Sequence, residues 1–268
     1  MKLKFWGVRG TVPVSGQDKM KYGGCTICST VETDTGELLI IDAGTGIKKL
    51  GDHLLKTRKK DSLHFNILMT HFHLDHIQGL PFFAPLYEEE ATLHIYSPYS
   101  TTEMEYYMKG LMSGRFFPVE FDETPSTKYF HQVEVDMFVL GGVQISYCPL
   151  HHPQGSVAYR LDGAATSIVY STDTEHPLDG VDNRLAGFAE GADILIYDAT
   201  FTPEEYEDGK RGWGHSTWLE GTKLAQEARV KHLTLSHFNP DHSDADVDQI
   251  VLRAKDKFPD TSGARETA

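Results

Sequence analysis

The chain is short of cysteine and of cationic side chains, and each shortage excludes a class of protein. Three cysteines in 268 residues cannot build a disulfide framework. Cys25-x-x-Cys28 has no second pair or histidine at finger spacing, so both thiols, with Cys148, read as residues packed under a sheet. Lys and Arg number 25 against 39 Asp and Glu, for a formal net charge of −14. Long polyanions are gripped by basic surface. Glu88-Glu89-Glu90 and the Asp244–Asp248 stretch offer the opposite and read as solvated faces. No apolar run approaches the length of a membrane span. Met1-Lys2-Leu3-Lys4-Phe5 has no signal-like apolar core, so a soluble cytoplasmic protein is expected. No Pro/Gly/Ser linker divides the chain. One domain over residues 1–260 is therefore expected, with a frayed polar tail at 261–268.

What is present is a concentration of metal-binding side chains. His71-Phe72-His73-Leu74-Asp75-His76 follows the apolar, strand-like Phe65-Asn66-Ile67-Leu68-Met69. His71 and His73, two apart on an extended loop, project to one side. Asp75 and His76, at the start of an expected helix over Asp75–Phe83, can turn toward a second ion. Buried charge of this density needs a counter-ion. The completing residues lie downstream at predicted strand tips: His152 after Val143–Leu150, Asp173 after Ser167–Tyr170, and His237 after Leu233–Ser236. Strand tips are where open α/β sheets place their chemistry. One divalent ion would take His71, His73 and His152. A second would take Asp75, His76 and His237, with Asp173 bridging. Nitrogen and oxygen donors suit Zn2+, with Mn2+ or Fe2+ as alternatives, and room for a shared water marks a catalytic site.

The remaining pattern predicts strands at Lys2–Val8, Cys28–Thr33, Glu37–Asp42, Thr92–Tyr96, Tyr129–Val135, Val143–Cys148, Val157–Leu161 and Asp193–Tyr197, besides those at the metal residues. Helices are expected at Thr45–Lys56, Thr101–Leu111, Asn183–Glu190, Thr217–Ala228 and Asp244–Lys257, the last capped by Ser243 or Asp244. Strand runs that each end in helices imply an α/β fold, an αββα sandwich of two facing β-sheets flanked by helices.

The His-x-His-x-Asp-His run with spaced His, Asp and His on strand ends resembles the metallo-β-lactamase superfamily of binuclear hydrolases, over roughly residues 1–258. Antibiotic hydrolysis is not implied, because the commonest zinc β-lactamases keep a cysteine where this chain has Asp173. Asp198-Ala199-Thr200-Phe201 and Gly214-His215-Ser216-Thr217 resemble paired elements of tRNase Z and related phosphodiesterases. That resemblance implies a histidine, His215, that assists phosphodiester cleavage and an acid, Asp198, that orients it. The spacing from His152 to Ala158-Tyr159-Arg160 is similar to that group's third motif, with Ala for Gly. It favours His152 over His151 as the ligand. Phe5-Trp6-Gly7-Val8-Arg9-Gly10, Tyr22-Gly23-Gly24 and Ile77-Gln78-Gly79-Leu80-Pro81-Phe82-Phe83 resemble bacterial cyclic-nucleotide phosphodiesterases, although Cys25 stands where Asn is expected.

The resemblance thus implies a metal-dependent phosphodiesterase with catalytic residues Asp75, His215 and Asp198. A small phosphodiester is expected as substrate, in the first instance a 3′,5′-cyclic nucleotide such as cAMP. The alternatives are a tRNA 3′-processing endoribonuclease and a non-catalytic metal-dependent ligand sensor. The endoribonucleases carry a protruding basic arm, whereas Glu88–Thr127 holds only Lys109 and Arg115 as basic residues. Relatives suggest a homodimer. Asp42 reads as structural or as a carboxylate behind a ligating histidine. Phe82, Phe83, Phe116 and Phe117 are candidates for stacking on a nucleobase, with core packing the commoner use. His94, His131, His176, His232 and His242 read as surface or satisfied histidines.

Overall fold

Alternation along the central strands sets the layering. The computed structural model describes residues 1–59, 62–134 and 137–267. Strands β1 (Lys2–Gly7), β2 (Cys28–Glu32), β3 (Leu38–Ile41), β4 (His64–Leu68), β5 (Thr92–Ser97) and β6 (Thr127–Gln132) form one sheet in that order. Pairing is antiparallel through β3 and parallel beyond it. The second sheet runs β13 (Thr261–Gly263), β12 (His232–Ser236), β11 (Ile194–Asp198), β10 (Ser167–Ser171), β9 (Val157–Asp162), β8 (Val143–Pro149), β7 (Met137–Leu140). Its β10–β13 half is parallel and its β7–β10 half antiparallel. Side chains alternate sides along a strand. Leu39 and Ile41 of β3 join Tyr159, Ile168, Tyr170 and Ile196 in a core shared by both sheets. Ile40 faces the other way, onto Ile47, Leu50 and Leu54 of α1 (Gly46–Thr57). Across the molecule Leu195, Leu233 and Leu235 meet Leu224 and Val247. Burial on both faces requires helices outside each sheet, and these three cores make the αββα sandwich that the sequence predicts.

The helices are α1, α2 (Leu74–Ile77), α3 (Thr101–Leu111), α4 (Asn183–Ala189), α5 (Pro203–Glu207), α6 (Trp218–Glu227) and α7 (Asp244–Lys257). Ser243 caps α7 with a reciprocal Asp246 bond. The expected helix over Asp75–Phe83 is corrected to α2 plus a separate 3-10 turn at Leu80–Phe82. The His76 carbonyl accepts from the Ala43 amide instead of continuing the helix, and Pro81 has no amide to donate.

The frayed tail is also corrected. Thr261–Gly263 pairs with β12, the Thr267 amide donates to Phe5 O, and the Glu266 carboxylate takes the Cys25 amide and an ion pair from Lys49. Main-chain pairing needs no apolar side chain, which is why a polar tail can be anchored. Strand β7 had no place in the predicted pattern. Val135, the last residue of the expected Tyr129–Val135 strand, lies outside the described residues. The acidic stretch at α7 is more than a solvated face: Asp244 accepts the Lys21 and Tyr22 amides, and Asp248 accepts the Tyr22 hydroxyl at 2.7 Å. Cys28 and Cys148 are buried and Cys25 half-buried, all as free thiols. No described helix is long and apolar enough to cross a membrane.

Candidate metal centre

Loops leaving β4, β8, β10 and β12, with the end of β11, converge on one edge of the sandwich. They bring together all seven predicted ligands. The ligand atoms of His71, His73 and His152 lie within 4.8 Å of one another, as do those of Asp75, His76, Asp173 and His237. Asp173 stands between the groups: Oδ1 is 3.8 Å from His71 Nε2 and 3.2 Å from His237 Nε2, and Oδ2 is 3.2 Å from His76 Nε2. His151 is exposed, 3.6 Å from Asp182 and outside the cluster.

Each of the five cluster histidines is gripped by one ring nitrogen and presents the other. His76 Nδ1 meets Asp42 Oδ2 at 2.8 Å. His71 Nδ1 meets Thr70 Oγ1 at 3.1 Å, and that hydroxyl donates in turn to Asp42. His237 Nδ1 meets Thr200 Oγ1 at 2.8 Å, His152 Nδ1 donates to Gly214 O at 2.8 Å, and His73 Nε2 meets Gln154 Oε1 at 3.1 Å. Such outer partners fix ring orientation and tautomer in metal sites. The remaining nitrogens face one another or the Asp75 and Asp173 carboxylates. His73 Nδ1 and His152 Nε2 face each other at 3.0 Å. Among buried atoms without a hydrogen bond are His71 Nε2, His76 Nε2, His237 Nε2 and Asp173 Oδ2. Buried polar atoms left unpaired cost about 1–3 kcal/mol each. Four such atoms shared between the two adjoining groups fit divalent cations, and the donor set of imidazoles and carboxylates is what such ions take.

The electrostatics agree. Burial depresses the His71 pKa well below the usual imidazole range, helped by His76, so the ring is a neutral donor. Burial also depresses that of His152. At His237 burial works against charge, but the Asp173 and Asp75 carboxylates outweigh it and lift the pKa to about 10. The backbone is held under strain here. Asp42, Asp173 and His237 have φ of 60°, 61° and 59°. This left-handed region costs a non-glycine residue about 1–3 kcal/mol and recurs at functional sites. Gly10 lies against the His237 ring, where a Cβ would fall 2.1 Å from Cε1.

His215 borders the cluster. Its Nδ1 lies 2.9 Å from Asp198 Oδ2 and its ring stacks on His237 with centroids 4.9 Å apart. Asp198 is fully buried and also accepts the amides of Asp173, Thr200 and Ser216. A cleft of about 380 Å³ opens over these residues, lined by Asp75, Asp173, His215, Phe201, Lys210 and Trp213 among others. None of Phe82, Phe83, Phe116 and Phe117 lines it. Phe83 is core, and Phe82 packs edge-on against Phe117. The commoner expectation, core packing, thus holds for Phe83, and none of the four is placed to stack on a ligand in this cleft. The five histidines read as surface or satisfied have partners: His94 with His131, His176 with Ser216, His232 with Asp260 and His242 with Glu205. Sequence reasoning missed Thr11, whose amide donates to Asp75 at 2.6 Å, and Glu175, which accepts the amides of Gly212 and Gly214. Main-chain donors leave no side-chain signature. Thr70 and Thr200 were findable, since each adjoins a motif residue.

Two facing sheets with this His/Asp cluster at their edge define a metal-binding hydrolase of the metallo-β-lactamase fold. A family model described as a β-lactamase superfamily domain matches residues 38–238, and the chain belongs to that superfamily. Within it the chain resembles ribonuclease Z. It is 22% identical over 311 residues to ribonuclease Z of Oceanobacillus iheyensis, covering 97% of this chain and 96% of that one. It is 40% identical over 98 residues to ribonuclease Z of Brevibacillus brevis, a match spanning 35% of this chain and 29% of that protein. The metallo-β-lactamase fold protein YhfI of Bacillus subtilis superposes with a TM-score of 0.73 at 20% identity, over 99% of this chain and 97% of that one.

Proposed function

We propose that this chain is a two-metal phosphodiesterase acting on a small phosphodiester, such as a 3′,5′-cyclic nucleotide. The observation that carries the reading is half-buried His215 on the wall of the cleft that holds the cluster, held from behind by buried Asp198. His71, His73 and His152 would hold one zinc ion; Asp75, His76 and His237 would hold the other, with Asp173 between them. Bound ions of this kind acidify a water and neutralise charge on phosphoryl oxygens. The protein supplies the rest. Asp198 accepts the His215 Nδ1 proton, so Nε2 is the nitrogen available to the cleft. There it can hand a proton to the departing oxygen or stabilise an equatorial one. Thr11 N–H fixes the Asp75 carboxylate, and the Asp173 amide, bound by Asp198, ties the bridging position to the same acid.

Two features favour a small substrate. Ligand pockets typically span about 300–1,000 Å³, and this cleft falls in that range. The Glu88–Thr127 stretch packs Met104, Met108, Met112 and Phe121 into the core beside the first sheet, so among the described residues it forms no projecting basic arm. The second reading, tRNA 3′ processing, is favoured by the whole-length match to a protein named ribonuclease Z. Zinc-reconstituted protein offered cyclic nucleotides beside a precursor tRNA separates them. Turnover of the cyclic diester with the tRNA left intact supports the first reading; tRNA cleavage alone replaces it with the second.

A further inference from the structure

The loop from Gly209 to Gly214 walls the cleft and does work that the hydrolytic residues do not explain. It turns through glycines at 209, 212 and 214 with φ of 85°, 80° and 83°, which other residues adopt only under strain. It is braced: Glu175 accepts the Gly212 and Gly214 amides at 2.7 and 2.9 Å and the Tyr206 hydroxyl at 2.6 Å. Gly214 O holds His152 Nδ1, so the loop is tied to the cluster itself. A Cβ on Gly214 would sit 2.3 Å from that nitrogen.

This rigid loop presents Trp213, 55% exposed, at the cleft rim. A large apolar ring held in water beside a reaction centre is not explained by packing. The Lys210 ammonium lies 4.0 Å from the Trp213 ring centroid and 6.0 Å from that of Phe201. Among the described residues Lys210 has no carboxylate within ion-pair distance and is the only Lys or Arg lining the cleft. The protein therefore keeps a cation with no carboxylate partner resting on one face of an exposed aromatic ring, against a net charge of −14, which leaves the ring's other face for a ligand.

We infer that Trp213 and Lys210 form a base-binding platform, Trp213 stacking on a nucleobase and Lys210 facing the substrate's negative charge. The substrate class is then a base-bearing phosphodiester and not a base-free one. This rests on the phosphodiesterase reading for its catalytic half, while the platform itself can be tested by binding alone. Stacking on an aromatic side chain is worth about 1–3 kcal/mol per base, equivalent to roughly 5- to 150-fold in affinity.

Two measurements on the zinc-loaded protein test it. Trp6 and Trp218 are buried, so quenching of intrinsic fluorescence reports mainly Trp213. 5′-AMP should quench it at concentrations where ribose 5-phosphate does not, and Trp213→Phe should lose the signal. Trp213→Ala should then lower the ratio of kcat/KM for cyclic AMP over its base-free analogue, methyl ribofuranoside 3′,5′-cyclic phosphate, by roughly 5- to 150-fold. Trp213→Phe should restore most of that ratio. Quenching by AMP in a protein that turns over no diester would leave the platform standing and overturn the catalytic reading. Equal binding of AMP and ribose 5-phosphate, or an unchanged ratio in Trp213→Ala, would overturn the platform.

Discussion

Replacing His215 by Ala should slow turnover by roughly 100-fold or more, the range for a general acid–base group, or about 2.7 kcal/mol of transition-state stabilisation. Both ions should stay bound, because the seven proposed ligands are untouched. The partner variant, Asp198→Asn, should behave differently. Asp198 receives five contacts: Thr200 N and Oγ1 and Ser216 N on Oδ1, and His215 Nδ1 and the Asp173 amide on Oδ2. An amide cannot accept on both sides. Its NH2 faces the smaller conflict at the Oδ2 position, where it would donate to His215 Nδ1. That places the ring proton on Nε2 and leaves the buried Asp173 N–H unpaired. The unpaired donor costs about 1–3 kcal/mol, a Tm loss of a few degrees at about 2–4 °C per kcal/mol for a chain of this size. Asp198→Asn should thus lose rate and stability together, whereas His215→Ala should lose rate alone. The rate losses should be less than additive in the double variant. The assay needs a poor leaving group, since a good one hides proton donation. Metal content should be measured on every variant. Loss of metal in His215→Ala would make His215 a ligand, and full activity on the poor leaving group would remove the support for phosphodiester chemistry.

Asp75→Ala should abolish turnover and cost about 1–3 kcal/mol of stability, because it leaves the Thr11 amide unpaired; near wild-type activity would count against a second ion. Asp42→Asn, which disturbs the hold on His76 and Thr70, should weaken metal affinity about 10- to 100-fold in a chelator competition, and unchanged affinity would show that Thr70 suffices. Stripping the ions should expose a pH dependence. The raised His237 pKa means its contacts stabilise fully below the unfolded value near 6.5 and fade as pH rises through about 10. The metal-free protein should therefore melt progressively earlier from pH 7 to 10. The metal-loaded protein should not follow it, because deprotonated ligands bind ions better. Parallel pH profiles would refute this.

The sequence made the cluster legible because metal binding needs particular side chains at particular strand ends, and strand ends show in hydrophobic patterning. Trp213 carries no sequence signal of its own; its place on the cleft depends on the Glu175 brace, which comes from a distant loop. The strands β7 and β13, the anchored tail and the shortened α2 escaped for one reason. Each depends on main-chain hydrogen bonds to partners remote in sequence, such as Ala43 N to His76 O and Thr267 N to Phe5 O. Side-chain identity carries little record of these. The left-handed backbone at Asp42, Asp173 and His237 was invisible too, since no glycine marks it.

Charge placement bears on which diester the site can use. The surface is acidic, yet two divalent ions would offset the four buried carboxylates Asp42, Asp75, Asp173 and Asp198, so the pocket would be far less negative than the surface around it, with the ions the charges nearest a ligand. Exposed charges are screened within about 8–10 Å at ordinary ionic strength. Attraction for an anion would then be strong inside the cleft and absent beyond its rim. A cyclic mononucleotide carries a single phosphate and meets only the favourable part of that field. A folded RNA would bring its other phosphates against a body with a net charge of −14 and no projecting basic arm among the described residues. Lys210, the one Lys or Arg on the cleft wall among the described residues, adds its charge where a small ligand would use it and a long backbone would gain from it only once.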